Sequence, residues 1–145
     1  METGMQTLLT LSLWLHLAAL GVGGAATFGI PVLVMIAAGA PAEARPSLGQ
    51  AAMRLAFLGR FAIGLLIATG AIMLWGTYGI AGLSPWFWVK MGLVAALVAL
   101  VVYNSRSAAR ARAGDGAAAA RIPVLGLVGI FLFLAIVLSS VLTFL

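Results

Sequence analysis

Four long apolar runs, over about residues 8–40, 55–78, 86–103 and 122–145, constrain this chain more than any other feature. Crossing about 30 Å of hydrocarbon takes about 20 helical residues at about 1.5 Å each, and all four runs approach or exceed that length. Lipid offers no hydrogen bonds, so a spanning backbone must satisfy its own polar groups, as helices do. Composition closes the alternatives. Only 8% of the residues are charged, against roughly a quarter in a soluble domain. Three acids and eight bases cannot coat a water-soluble globule of this size. At 64% hydrophobic residues the chain is also far too apolar for disorder. The expected fold is all-α, an integral membrane four-helix bundle forming a single transmembrane domain over residues 1–145.

The charges predict a direction. Arg45, Arg54 and Arg60, against Glu43, separate the first two runs. Arg106, Arg110, Arg112 and Arg121, against Asp115, separate the last two. The turn at 79–84 is uncharged and the N-terminal tail holds only Glu2. Basic loops stay in the cytoplasm, so both termini are expected on the outer, periplasmic side. Trp14, Trp75, Trp86 and Trp88 fall toward that same side, as an interfacial aromatic belt would. The net charge of +5 therefore orients the chain in its bilayer, and no nucleic-acid partner is expected. The first run reads as a span rather than a cleaved leader, because no Lys or Arg precedes it and it exceeds a leader's apolar region. The linkers at 41–52 and 104–120 read as flexible segments or short interfacial helices.

Helices in lipid pack through small residues. Gly21, Ala25 and Gly29 form such a stripe on the first helix, Gly64 and Ala68 on the second, Ala95 and Ala99 on the third. Gly126 and Gly129 share a face of the fourth, where Ser139 and Ser140 can bond backbone carbonyls.

Two ionisable side chains, His16 and Lys90, lie well within the runs, and such residues are costly enough in hydrocarbon to be functional candidates. His16 sits about 15 Å along the first helix, and Lys90 about 7 Å past Pro85 in the third. Both depths fall in the outer half. His16 shares its face with Ser12, Gly23 and Thr27, so it is expected to point at other helices. A neutral imidazole there can bind a metal or haem iron, or bond a neighbouring hydroxyl. Lys90 can snorkel outward beside Trp86 or hold an anionic group such as a carboxylate. Met73 lies at a similar depth on a face with Thr69, Gly70, Gly76 and Thr77; a thioether can ligate haem iron or copper, or simply pack. Met91 is a weaker candidate of the same kind. Arg60 begins the second span, where it can reach phosphate headgroups or hold an acid of a cofactor or substrate. With one histidine and no cysteine, a zinc site built by the protein is not expected, and disulfides and iron–sulfur clusters are excluded. No carboxylate lies within a run, which argues against a proton-coupled transporter.

Three segments resemble the group of membrane proteins that contains the HemJ-type protoporphyrinogen oxidases and the copper-resistance D proteins. They are Leu13-Trp14-Leu15-His16-Leu17; Arg54-Leu55 followed by Gly59-Arg60-Phe61 and Thr69-Gly70; and Trp88-Val89-Lys90-Met91-Gly92-Leu93-Val94 running to Tyr103-Asn104. They cover about residues 11–106. The resemblance implies a small four-helix protein of a bacterial-type inner membrane that binds haem b. It makes His16 the iron ligand and Lys90 an assistant to the haem or substrate, with oxidation of protoporphyrinogen IX as the group's chemistry. The group's Pro-Arg pair in helix one and its Tyr-His-Gly run closing helix three are replaced here by Pro31-Val32 and Tyr103-Asn104-Ser105. The haem set therefore carries over better than the oxidase set.

The leading expectation is a haem-b-binding membrane protein that oxidises a porphyrin-type substrate or passes electrons. His16 and Lys90 are its catalytic candidates, and His16, Met73, Lys90 and Arg60 its cofactor-binding candidates. Two other classes compete with it. One is a non-catalytic subunit docking into a homo-oligomer or larger membrane complex; the other is a copper-handling protein using His16 and Met73.

Overall fold

The computed structural model describes residues 2–78 and 83–142. Most of the expected 79–84 turn and the last three residues of the fourth run lie outside them. The described chain is all-helical. It comprises α1 (Glu2–Gly39), α2 (Arg45–Met73) prolonged by a π-helical turn (Leu74–Tyr78), α3 (Pro85–Arg112) and α4 (Gly116–Leu142). Each of the four is long and apolar enough to cross a membrane.

The helices reach well beyond the apolar runs, which corrects the reading of the linkers. Residues 45–54 belong to α2, 104–112 to α3 and 116–121 to α4, leaving turns only at 40–44 and 113–115. Alanine and arginine are both strong helix formers, so segments too polar for lipid simply continue the helix. Local chemistry sets the boundaries. Arg45 Nε donates to the Ala40 carbonyl at 3.0 Å, satisfying a group at the end of α1. Ser84 caps α3, its hydroxyl accepting from the Trp86 amide at 3.3 Å, with Pro85 in the first turn. Gly114 ends the α3 side of the next turn at φ 97°, a left-handed conformation that favours glycine. Asp115 then caps α4, its Oδ1 accepting from the Ala118 amide at 3.0 Å.

Packing follows a simple order. α1 lies against α2 along its length, α4 packs on α1, and α3 packs on α4. The series is thus α2–α1–α4–α3, and its end members make at most passing contact with each other. The α1–α2 pair is antiparallel and close. Ser12, Ala19 and Ala26 are buried at seven-residue intervals on α1; on α2 Gly59, Ala62 and Thr69 are buried, the last two seven residues apart. A Cβ built on Gly59 would lie 2.8 Å from that of Ala26, one on Gly23 would lie 3.9 Å from that of Ala62, and one on Gly29 would lie 2.8 Å from Leu55 Cδ2. Seven-residue spacing marks left-handed packing of the coiled-coil kind, and small residues let the backbones approach. On the other side of α1, Phe28 and Phe133 meet edge to face at 6.0 Å, and Pro31 covers Gly126.

The expected small-residue stripes are only partly used. Gly29, Gly126 and Gly129 lie at interfaces, whereas Gly21, Ala25, Gly64, Ala68, Ala95 and Ala99 are exposed. The buried seam on α1 runs through Ala19, Gly23 and Ala26 instead. Large side chains face outward, Phe57, Phe61 and Phe131 each being about two-thirds exposed or more. That inverts a soluble protein and suits a lipid surroundings.

Candidate functional site

Within the apolar region His16 of α1 meets Thr69 of α2, and Lys90 stands on α3. His16 is half-buried on α1 and faces α2, where its Nδ1 lies 2.8 Å from Thr69 Oγ1. Thr69 is buried, and its hydroxyl donates to the Leu65 carbonyl at 2.7 Å, with the Leu66 carbonyl further off at 3.3 Å. A threonine hydroxyl has one hydrogen. Since that hydrogen is committed to the backbone, Thr69 Oγ1 must accept from His16, so Nδ1 carries the proton. A neutral imidazole in this tautomer holds its lone pair on Nε2, and no donor among the described residues engages that atom.

Gly70 adjoins this contact. A Cβ there would sit 3.6 Å from His16 Cε1, in ordinary van der Waals contact, so only a larger side chain would displace the ring.

Lys90 is half-buried on α3 and close enough to His16 for the two to interact electrostatically, although α3 packs chiefly on α4. Its Nζ stands 5.7 Å from the centre of the Phe87 ring, within cation–π range. It makes no ion pair among the described residues; Glu43 and Asp115 lie in the two turns near the arginines. Ser139 and Ser140 on α4 both donate to the Ile136 carbonyl, at 2.9 and 2.8 Å, as their position in the fourth run suggests.

The other sequence candidates are placed differently. Met73 is half-buried one turn beyond Thr69, at the junction with the π-helical turn. Met91 is exposed. Arg60 is exposed and nine residues before Thr69, about 14 Å along α2, so it does not join His16 and Lys90. Tyr103 and Asn104 do not meet it either. The Tyr103 hydroxyl accepts from Arg121 Nη1 at 3.3 Å, and Asn104 Oδ1 is buried without a partner among the described residues.

Thr69 is the site residue that sequence reasoning missed. Its signal was present: a hydroxyl followed by glycine, in an apolar helix, at the depth of the only histidine. No group of three or more His, Asp or Glu side chains that would enclose a metal ion occurs among the described residues. Comparison with protein-family models, with curated proteins and with solved structures gives no match to this chain.

Proposed function

We propose that the protein is a haem-b-binding redox protein of a bacterial-type inner membrane, in which Nε2 of His16 would hold the iron and Lys90 would be the cation for an acid group of the macrocycle or of a porphyrin-type substrate. The observation that carries this reading is the relay His16 Nδ1–H to Thr69 Oγ1 to the Leu65 carbonyl. Histidines that ligate metals characteristically donate their other ring N–H to an acceptor, which fixes tautomer and orientation and raises ligand basicity.

Haem b, when bound, supplies a one-electron couple whose potential depends on axial ligand, burial and nearby charge. The chain's own residues do the rest. Thr69 holds the imidazole plane against α2 and keeps the proton off Nε2. Gly70 leaves space beside Cε1. Lys90 supplies positive charge in a region where no carboxylate of the described chain competes for it, and lipid around it strengthens its attraction for an acid. Met73, one turn from Thr69, would be a further residue to hold the group through its thioether. The positive-inside rule orients the bundle with both arginine-rich turns in the cytoplasm and the His16–Lys90 level toward the periplasm.

The experiment is haem stoichiometry on full-length protein purified from membranes. Wild type is expected to retain about one haem per chain and His16→Ala to lose it, as a single-imidazole site requires. Retention of haem by His16→Ala at the wild-type level rejects the assignment.

A further inference from the structure

The seven arginines are all exposed; five lie within about two helical turns of the joins between α1 and α2 and between α3 and α4, whereas Arg54 and Arg60 lie further into α2. They are not equivalent. Arg45 is bonded to the Ala40 carbonyl and Arg121 to the Tyr103 hydroxyl. Arg54 and Arg60 have no hydrogen-bond or ion-pair partner among the described residues. They also border one open depression on α2, shared with Gln50, Met53, Phe57 and Leu58.

That depression has a definite chemistry. Arg54 and Arg60 are six residues apart, about 9 Å along the helix, with Phe57 midway between them. Guanidinium groups offer donors in a planar fork that matches phosphate oxygens, and Gln50 adds an amide one turn before Arg54. One turn beyond Arg54 the wall is apolar, Phe57 being 65% exposed and Leu58 48%, and Arg60 follows beyond them. Arg54 and Gln50 above exposed apolar side chains match a molecule that is anionic at one end and hydrocarbon at the other. An arginine at the depth of Arg60, beside Phe61, must either extend toward the headgroups or find an anion where it lies.

From this juxtaposition we infer that Arg54 and Gln50 on α2, with Arg60 extending toward them, hold the phosphate of one anionic glycerophospholipid, whose acyl chain lies along Phe57 and Leu58. Net negative charge is the selective feature, because a zwitterionic headgroup brings its own cation toward two arginines. The site is separate from the His16–Lys90 level and does not depend on what binds there.

The test uses the full-length protein reconstituted into nanodiscs of equal parts phosphatidylglycerol and phosphatidylcholine, with retained lipid counted by native mass spectrometry. Wild type is expected to retain phosphatidylglycerol about thirtyfold over phosphatidylcholine, the scale set by two arginines near an anionic headgroup. The double variant R54Q/R60Q is expected to retain the two lipids equally. R110Q/R112Q removes the same charge from the same end of the molecule and is expected to keep the preference. Equal retention on the wild type, which needs no variant to fold, overturns the inference. So does a preference that survives R54Q/R60Q, or one abolished as fully by R110Q/R112Q.

Discussion

At the scale of single residues, the account rests on one hydrogen atom. Thr69 spends its only proton on the Leu65 carbonyl, and that commitment decides which nitrogen of His16 is bare. Thr69→Val keeps the shape but removes the acceptor, leaving the imidazole free to change tautomer and rotate. Haem affinity in this variant is expected to fall by about ten- to a hundredfold, the usual cost of losing such a partner, while Thr69→Ser retains it. Titration of apoprotein with haem measures this; an unchanged affinity in Thr69→Val removes the relay from the account. Gly70 gives a steric counterpart. The 3.6 Å space beside Cε1 accommodates alanine, so Gly70→Ala should leave the absorption spectrum unaltered, whereas Gly70→Leu should disturb it. His16 and Lys90 were legible without coordinates, because an ionisable group in an apolar run stands out by cost alone. Thr69 was not. A threonine in a membrane helix commonly bonds its own backbone, and only the antiparallel register of α1 and α2 reveals that its oxygen also meets a histidine.

At the scale of helices, the close α1–α2 seam is the main structural element. A Cβ at Gly59 would stand 2.8 Å from the Ala26 Cβ, a distance real side chains do not adopt, so the helices must separate. Gly59→Ala is therefore expected to destabilise the fold by about 1–3 kcal/mol, the cost of overpacking a tight contact. Gly64 is the control, since nothing lies within 4 Å of a Cβ there and it is exposed. Gly64→Ala should be neutral or gain up to about 1 kcal/mol from helix propensity. Denaturant unfolding in mixed micelles, followed by circular dichroism, compares the two; equal effects would mean that the seam is not where packing is decided. The contrast also explains why the spans could be read from sequence and their contact faces could not. Hydropathy and charge locate a span whatever its neighbours are. With 18 glycines and many alanines, however, nearly every face of these helices offers a small-residue stripe. Gly64 and Ala68 look as suitable as Gly59 and Ala62, and a seven-residue seam rather than a four-residue one selects between them. The linkers were misread for a related reason, as polarity ends a span but alanine and arginine do not end a helix.

At the scale of the molecule, the series α2–α1–α4–α3 leaves its end helices α2 and α3 largely unpacked against each other. Lys90 nevertheless acts electrostatically on His16, two helices away in that series. The chain thus places an imidazole and an ammonium at one level, nearer the end that carries both termini, and its arginines at the other. The positive-inside rule then predicts that a reporter enzyme folding only outside the cytoplasm is active when fused to the C-terminus and inactive when inserted at 113–115. The reverse pattern would invert the proposed orientation. The central claim is that His16 presents Nε2 to haem iron. Its most direct measurement is the visible absorption spectrum, oxidised and reduced, of wild type and His16→Ala purified from haem-replete membranes. The account predicts a Soret band in the wild type that shifts on reduction and is absent from His16→Ala. A wild-type protein without a Soret band, or a variant with the same band, would contradict it.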